Sequence, residues 1–303
     1  MTTQTAHVAK EKHVHIWTWQ QVVLVLIIFI FVLSCVLPFL NVIAISFSSN
    51  SAILRGAVSF WPSEFSTAAY SLIFSDKSMI RSLVYTIEIT VIYTAISMVL
   101  TILMAYPLTK KRLHGIKFFN FLAVFTMYFS GGTIPIYLNI KDLGLMNTAW
   151  SLILPAALST YNMIIMKSFF ATLPDELEEA AIIDGANDFQ VLLRVYLPLS
   201  LASIATITLF YAVSKWNSFQ DAKYYITSRD LQPLQLKLYN IIKGSQAVDV
   251  ASVEGAGSQS LSSSVSESIE SATIIFATLP ILIVYPFVQR YFVAGVTIGA
   301  VKG

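Results

Sequence analysis

The chain has 303 residues, of which 56% are hydrophobic and only 12% are charged. An ordinary globular protein carries about 25% charged residues, so this composition predicts an integral membrane protein. A formal net charge of +2, without a stripe of Lys and Arg interleaved with aromatic residues, argues against nucleic acid as a partner. The single cysteine, Cys35, excludes internal disulfides and thiolate metal clusters.

Several apolar segments are long enough to cross a bilayer, which takes about 20 residues of helix. Trp17 and Trp19 precede the first of them, where amphipathic rings favour the headgroup layer. The sequence therefore predicts an all-α integral membrane protein with six transmembrane helices. We place these spans at 20–46, 82–108, 118–139, 148–171, 199–217 and 271–289.

Basic residues predict the orientation. The N-terminal tail, the 109–117 loop and the C-terminal tail together hold eight Lys and Arg residues and one acid. In the alternate loops, 47–79 and 140–146, basic and acidic residues balance. Because basic loops stay in the cytoplasm, we expect both termini there.

The segment from Asp175 to Arg194 is too polar for a span. It contains six acids and one arginine, and each charge costs about 2.5–3.5 kcal/mol at the bilayer centre. Thr172, Pro174 and the acids that follow favour a helix start, and Gly185 suits a sharp turn before a second helical run. Helices that lie on the membrane surface are usually basic, so an acidic helix-turn-helix favours docking to another protein.

The spacing within this segment matches a known motif. Glu179-Ala180-Ala181, three residues, Gly185, nine residues, Val195, one residue and Leu197-Pro198 resemble the EAA loop of permease subunits in bacterial ABC importers. The chain is similar to the carbohydrate-uptake, maltose-type branch of these permeases along almost its whole length. Further matching elements are Asp184-Gly185-Ala186, Ala105-Tyr106-Pro107-Leu108, Trp216-Asn217, Pro233-Leu234-Gln235-Leu236 and Gln289-Arg290-Tyr291-Phe292.

The resemblance implies a type I ABC importer permease fold with a cytoplasmic coupling helix. Its transport core would span 82–290, after a tail, first span and outer loop at 1–81 and before a cytoplasmic tail at 291–303. In this family the motif glutamate, here Glu179, pairs with a basic residue in a cleft of the ATPase. The ATPase-docking residues carried over are Glu178, Glu179, Ala180, Ala181, Asp184, Gly185 and Ala186.

The resemblance also implies the partners. The chain lacks a G-x-x-x-x-G-K-[ST] phosphate loop, so ATP and Mg²⁺ would be bound by a partner ATPase, and this chain would be a transport subunit without a cofactor of its own. Such importers combine a second homologous permease, two cytoplasmic ATPase subunits and an extracellular solute-binding protein. The expected function is ATP-driven uptake of a carbohydrate, with an oligosaccharide as the expected solute, across the cytoplasmic membrane of a bacterial cell.

A sugar path through this subunit would need aromatic rings for stacking and amides for hydrogen bonds. In maltose-type importers the sugar site belongs chiefly to the partner permease, so this chain could line a gate only. Aromatic residues at helical spacing also commonly face lipid or core. The candidates are Tyr128, Tyr137, Tyr161, Asn162, Trp216 and Asn217, and the first begins a Gly-Gly stretch at 128–133 that permits either a bend or close helix packing.

Other features leave alternatives open. Glu88 inside the second span is either an ion site or a group near the outer end, reaching water or bonded to Thr86 or Thr90. An ion site would suit an ion-coupled secondary transporter, which is an alternative hypothesis from a different class of protein. A more closely related alternative is an ABC permease for a non-sugar solute. Lys167 and Lys215 are expected at the interface. The segment 255–268 is either a tether or a contact for an external partner, and His13 and His15 alone predict no metal site.

Overall fold

A computed structural model describes residues 18–254 and 267–286, with the side chains of 245–254 left undescribed. Several predictions therefore concern residues that the structure does not describe. They are those for His13, His15, the tail at 291–303 and all but the end of the 255–268 segment. Ser268, at that end, is buried and lies in the helix Glu267–Pro286.

The described ranges are helical, apart from turns and one isolated bridge between Ser48 and Phe65. Short 3-10 turns lie at 107–109, 154–156 and 229–231, and a π-helical turn at 192–196. In chain order the α-helices are α1 (Trp19–Ser46), α2 (Asn50–Leu54), α3 (Ala68–Ser75), α4 (Lys77–Ala105), α5 (Ile116–Tyr128), α6 (Thr133–Asp142), α7 (Trp150–Ile153), α8 (Thr160–Phe170), α9 (Asp175–Ile183), α10 (Asp188–Val191), α11 (Leu197–Leu199), α12 (Leu201–Asn217), α13 (Gln220–Tyr225), α14 (Leu234–Glu254) and α15 (Glu267–Pro286).

Three described helices are long and apolar enough to cross a membrane: Trp19–Ser46, Lys77–Thr109 and Glu267–Pro286. Three further pairs meet this criterion together, although each is bent: α5 with α6 by 110°, the 149–156 helix with α8 by 51°, and the 188–199 helix with α12 by 85°. Counting each bent pair as one span gives up to six spans by length and composition. The predicted all-α membrane fold is confirmed, but the middle spans are broken rather than straight.

The sharpest of these breaks falls at the paired glycines. Between α5 and α6 the chain turns at Gly132, whose φ of +89° lies in the region that favours glycine. A Cβ added to Gly132 would meet nothing within 4 Å. The structure therefore supports a bend at 128–133, and close helix packing is not the reason for this glycine.

The main core lies between α4, α8 and α12, and the interface of α4 with α12 is the most extensive among helices α1 to α14. Along its buried side α4 carries six small hydroxyl side chains interspersed with larger ones. The hydroxyl residues are Ser82, Thr86, Thr90, Thr94, Ser97 and Thr101, and the larger ones are Met79, Ile89, Tyr93 and Met98. Thr101 shares a hydrogen bond of 2.7 Å with the hydroxyl of Tyr211 on α12, which ties the two helices together across this side.

A second core joins α3, α4, α12, α14 and α15. Trp216 is at its centre: the ring is buried, and its Nε1 donates a 3.2 Å hydrogen bond to the carbonyl of Ala277 on α15. By contrast, the apolar side chains of α1 are exposed over most of its length. In a bilayer these side chains would face lipid or another membrane subunit.

Lys215 does not reach out to solvent as expected of an interfacial lysine, because its side chain is buried within the protein. Its ammonium group donates a hydrogen bond to the carbonyl of Leu152 and lies 3.4 Å from a carboxylate oxygen of Asp221. Leu152 is near the end of the short helix α7, where carbonyls lack intrahelical donors. These acceptors offset the cost of burying the charge. Lys167 instead donates to the side chain of Asn120.

Candidate functional site

The acidic segment forms a helix-turn-helix, as predicted. Its first helix, α9, has Asp175, Glu176 and Glu178 in the first turn, where carboxylates interact favourably with the helix dipole. Thr172 does not cap it, because its hydroxyl donates to the carbonyl of Phe169 and no side chain caps the helix. The proline before the helix and the first-turn acids therefore set the start of α9.

The turn follows immediately after α9. Gly185 has a φ of +81°, a conformation that side chains disfavour, and a Cβ added there would meet nothing within 4 Å. Asn187 and Gln190 then form a reciprocal capping box, with two hydrogen bonds of 2.9 Å, that starts the second helical run. The predicted turn residue and second helix are thus both present.

The outer face of this loop carries only part of the predicted docking set. Glu179, Ala180, Asp184 and Gly185 are exposed, whereas Ala181 and Ala186 pack partly against the main core. Two apolar side chains that the sequence interpretation left out, Ile182 and Ile183, also point outward, and Ile183 is 85% exposed. This face thus combines two carboxylates, small residues and two isoleucines available for burial by a partner.

Glu178 has a different position from Glu179, because it faces inward. Its carboxylate forms an ion pair with the ammonium group of Lys110 and accepts a 2.8 Å hydrogen bond from the hydroxyl of Tyr196. The side chains of Lys110 and Glu178 are only 10% and 15% exposed. Burial raises the pKa of Glu178, but the hydrogen bonds from Lys110 and Tyr196 and the charges of Lys110 and Arg112 outweigh it and hold the pKa below its ordinary value.

The ammonium group of Lys110 is itself enclosed by two aromatic rings. It lies 4.2 Å from the ring centroid of Tyr106 and 4.1 Å from that of Tyr196, within the range of cation–π attraction. It also donates a 2.9 Å hydrogen bond to the hydroxyl of Tyr196. The cluster of Tyr106, Lys110, Glu178 and Tyr196 therefore joins the end of α4 to both helices of the acidic loop; we call it the Lys110 cluster.

Arg112 extends this connection at the surface. Its guanidinium pairs with Asp188 at the start of α10 and lies 3.8 Å from the carboxylate of Glu178. Sequence reasoning used Lys110 and Arg112 only as topology signals. The single hint of pairing was that the basic loop and the acidic loop lie on the same predicted side of the membrane.

The candidate path residues do not form one site. Tyr128 at the end of α5 is 82% exposed and Tyr161 at the start of α8 is 57% exposed. The hydroxyls of Thr126 and Thr160 lie 3.3 Å apart, so these two tyrosines belong to adjoining helix ends. Asn162, next to Tyr161, is buried.

The remaining candidates lie elsewhere. Tyr137 on α6 stacks on Tyr225, with ring centroids 6.3 Å apart. Trp216 is in the second core, where it packs against α15, and Asn217 donates to the carbonyl of Val213 within its own helix. In this conformation Tyr128, Tyr161 and Asn217 are the exposed members of the set.

Glu88 is exposed on the side of α4 that faces away from the core. The predicted bonds to Thr86 or Thr90 are not seen. The hydroxyl of Thr86 donates to the carbonyl of Ser82 and accepts from the backbone amide of Leu234, while the Thr90 hydroxyl has no partner among the described residues. Of the two structural explanations of Glu88, a hydrogen bond to a threonine or access of the carboxylate to water, only access to water remains.

Comparison with known proteins agrees with this architecture. The family described as binding-protein-dependent transport system inner membrane component matches residues 89–298. The polygalacturonan/rhamnogalacturonan transport system permease protein YtcP of Bacillus subtilis (strain 168) is 44% identical, over 89% of this chain and 94% of that protein. Protein LplC of the same strain is also 44% identical, over 88% and 90% of the two chains.

A solved structure has the same fold. A chain of a bacterial ABC transporter involved in the import of the acidic polysaccharide alginate superposes with a TM-score of 0.80 and 32% sequence identity, covering 91% of this chain and 99% of that one. The family works with a solute-binding protein and an ATPase, and it comprises transport subunits rather than enzymes. The chain thus belongs to the inner membrane components of binding-protein-dependent transport systems, the multi-pass permease subunits of ABC importers.

Proposed function

We propose that this chain is one permease subunit of an ATP-driven importer that takes up an oligosaccharide delivered by an extracellular solute-binding protein. The complete importer would contain a second homologous permease and two cytoplasmic ATPase subunits. The observation that carries the proposal is the acidic loop: its outward face, with Glu179 beside the Gly185 turn, is exposed and lies outside the spans.

The exposed groups fit a coupling helix seated in a cleft of the ATPase. Glu179 would supply the charge contact to a basic residue, and Ala180 would allow close approach. Ile183 would add apolar area, because an exposed isoleucine gains most from burial by a partner. ATP and Mg²⁺ would be held by the ATPase, whose closure would move the spans between inward-facing and outward-facing states.

The names of relatives support a carbohydrate as the solute. YtcP is named for polygalacturonan and rhamnogalacturonan, and the structural relative for the acidic polysaccharide alginate. Tyr128 and Tyr161, exposed at adjoining helix ends, are the best placed of the candidate residues to stack on a sugar ring. We assign them to a gate, with the main sugar site in the partner permease.

The proposed orientation has both termini in the cytoplasm, which puts the acidic loop and the basic loop at 109–117 on the same side. The ion pairs of Lys110 with Glu178 and of Arg112 with Asp188 join these two loops directly, which supports placing them on one side of the membrane. Cysteine labelling from either side of sealed vesicles, at the exposed Ile183 of the acidic loop, tests which side this is.

Transport by the reconstituted importer tests the function. Proteoliposomes containing both permeases and the ATPases should take up solute only with binding protein and internal ATP. Uptake driven by a sodium or proton gradient without ATP would instead support the ion-coupled transporter. To settle the solute class, the binding protein is screened against uronic-acid oligosaccharides, neutral oligosaccharides and amino acids. Binding of amino acids alone would contradict a carbohydrate solute.

A further inference from the structure

The two adjacent glutamates of the acidic loop face opposite ways. Glu179 is exposed, while Glu178 is largely buried against Lys110 and Tyr196. A carboxylate turned into its own subunit cannot contact the ATPase without breaking these bonds. Glu178 therefore requires a role other than docking.

The Lys110 cluster is built from three separate parts of the chain. Tyr106 and Lys110 lie at the end of α4 and just beyond it, Glu178 lies on α9, and Tyr196 ends the π-helical turn before α11. The rings of Tyr106 and Tyr196 meet edge to face at 5.0 Å, and both contact the ring of Phe170 at the end of α8. A force on α9 would thus reach the ends of α4 and α8 through packed groups.

We propose that Glu178 is a positioning residue that fixes the coupling helix to the transport core. It does so by holding Lys110 between the rings of Tyr106 and Tyr196, so that α9 and the end of α4 move as one body. This inference rests on the proposed function, in which α9 receives the motion of the ATPase.

The contact between Glu178 and Lys110 is suited to transmit motion from α9 to the end of α4, because the two groups are charged and largely buried. A buried ion pair is weakened little by salt, and removal of one partner leaves an uncompensated charge. The pair also has a directional component, since the hydroxyl of Tyr196 accepts from Lys110 and donates to Glu178. A helix held only by apolar contacts could slide without losing a specific partner.

The test compares Glu178→Gln, Lys110→Met and the double variant in the complete importer, reconstituted with its partner permease, ATPases and binding protein. The measured quantity is the ratio of solute imported to ATP hydrolysed. Loss of one charge-assisted hydrogen bond changes an equilibrium by about tenfold or more, so each single variant should lower this ratio about tenfold. The double variant should be no worse than either single one, because both act on the same contact.

Glu179→Gln is the matched control, one position along the same helix. It should reduce co-purification of the ATPase, whereas Glu178→Gln should leave co-purification intact. Equal loss of ATPase from the two variants would make Glu178 a docking residue and overturn the proposal. Additive effects of Glu178→Gln and Lys110→Met would overturn it as well.

A distance measurement gives a readout independent of transport. Spin labels at Glu176→Cys on α9 and Met104→Cys on α4, both exposed positions outside the docking set, in a Cys35→Ala background, report how rigidly the two helices are joined. The distance distribution in the complete importer should be narrow and should broaden with Glu178→Gln but not with Glu179→Gln. An unchanged width in Glu178→Gln would contradict the proposal. This readout does not depend on transport, so it is distinct from a failure of the proposed function, which would appear as wild-type transport independent of ATP.

A milder variant covers failure of the charge variants to fold. Tyr196→Phe keeps the ring over Lys110 and removes only the hydroxyl bonded to Glu178. Tyr196→Phe should lower the ratio of solute imported to ATP hydrolysed, but by a smaller factor than Glu178→Gln. Lys110→Arg keeps the cation and should therefore retain a higher ratio than Lys110→Met. A wild-type ratio in Tyr196→Phe, or equal loss in both Lys110 variants, would count against the cluster.

Discussion

Replacement of Gly185 by tryptophan separates docking from folding. Glycine is required here by the backbone and not by space, because φ is +81° and an added Cβ meets nothing within 4 Å. A residue with a side chain costs about 1–2 kcal/mol in this left-handed conformation. The new side chain would project outward, onto the face that we assign to the ATPase.

The two effects differ in size and in the assay that detects them. Backbone strain of about 1–2 kcal/mol lowers the thermal stability of the subunit modestly and leaves membrane insertion intact. A bulky group forced into a packed interface costs about 1–3 kcal/mol in addition, which corresponds to roughly fivefold to 150-fold weaker association. We expect Gly185→Trp to lose ATPase co-purification and uptake, and Gly185→Ala to keep most of both.

Gly56 offers a matched control on the other predicted side of the membrane. Its φ is +64° and an added Cβ there would also meet nothing within 4 Å. Gly56→Trp should therefore show the same strain with normal ATPase association. The docking argument would be refuted if Gly185→Trp transported like the wild type, or if Gly56→Trp lost the ATPase to the same extent.

Three further predictions concern other contacts. Glu179→Lys should weaken ATPase association, measured by co-purification, and an acid introduced at the facing basic residue of the ATPase should partly restore it; failure of every such rescue would remove the proposed role. Trp216→Phe should cost about 0.5–1.5 kcal/mol in thermal unfolding through loss of the bond to Ala277, while Trp61→Phe, at an exposed position, should cost almost nothing; equal effects would contradict this. Hydrogen bonds from Ser49, Ser51 and Arg55 lower the pKa of Glu64 from 4.5 to about 2, so the stabilisation is complete above pH 4.5 and is lost as pH falls towards 2; the protection factors of the 49–55 amides, which correct for the pH dependence of intrinsic exchange, should fall over this range and be independent of pH in Glu64→Gln.

The acidic loop could be predicted from sequence because its signals are local. First-turn acids, a glycine and a capping pair each act within a few residues, and together they give the helix, the turn and the next helix. The inward position of Glu178 could not be predicted in this way. Its partner Lys110 is 68 residues away, and nothing in the two segments specifies which acid pairs with which base.

The positions of the spans were also predictable, whereas the bends within them and the burial of their side chains were not. Hydropathy locates an apolar segment but gives no indication that α5 and α6 meet at 110°. The same limit explains why the burial of Lys215 was not predicted. A lysine near a span end normally reaches the interface. Here its ammonium group instead donates to the carbonyl of Leu152 and pairs with the carboxylate of Asp221 inside the protein.

The hydroxyl-bearing side of α4 has a consequence for how this helix tolerates mutation. Its outward positions, such as Val91 and Val99, require only an apolar side chain, because lipid sets no demand on shape. The positions of Thr90, Thr94 and Ser97 require small side chains, because they are buried among closely packed helices. Saturation mutagenesis of α4 should thus show two tolerance classes that alternate with the helical period. Size would be selected on one side and hydropathy on the other.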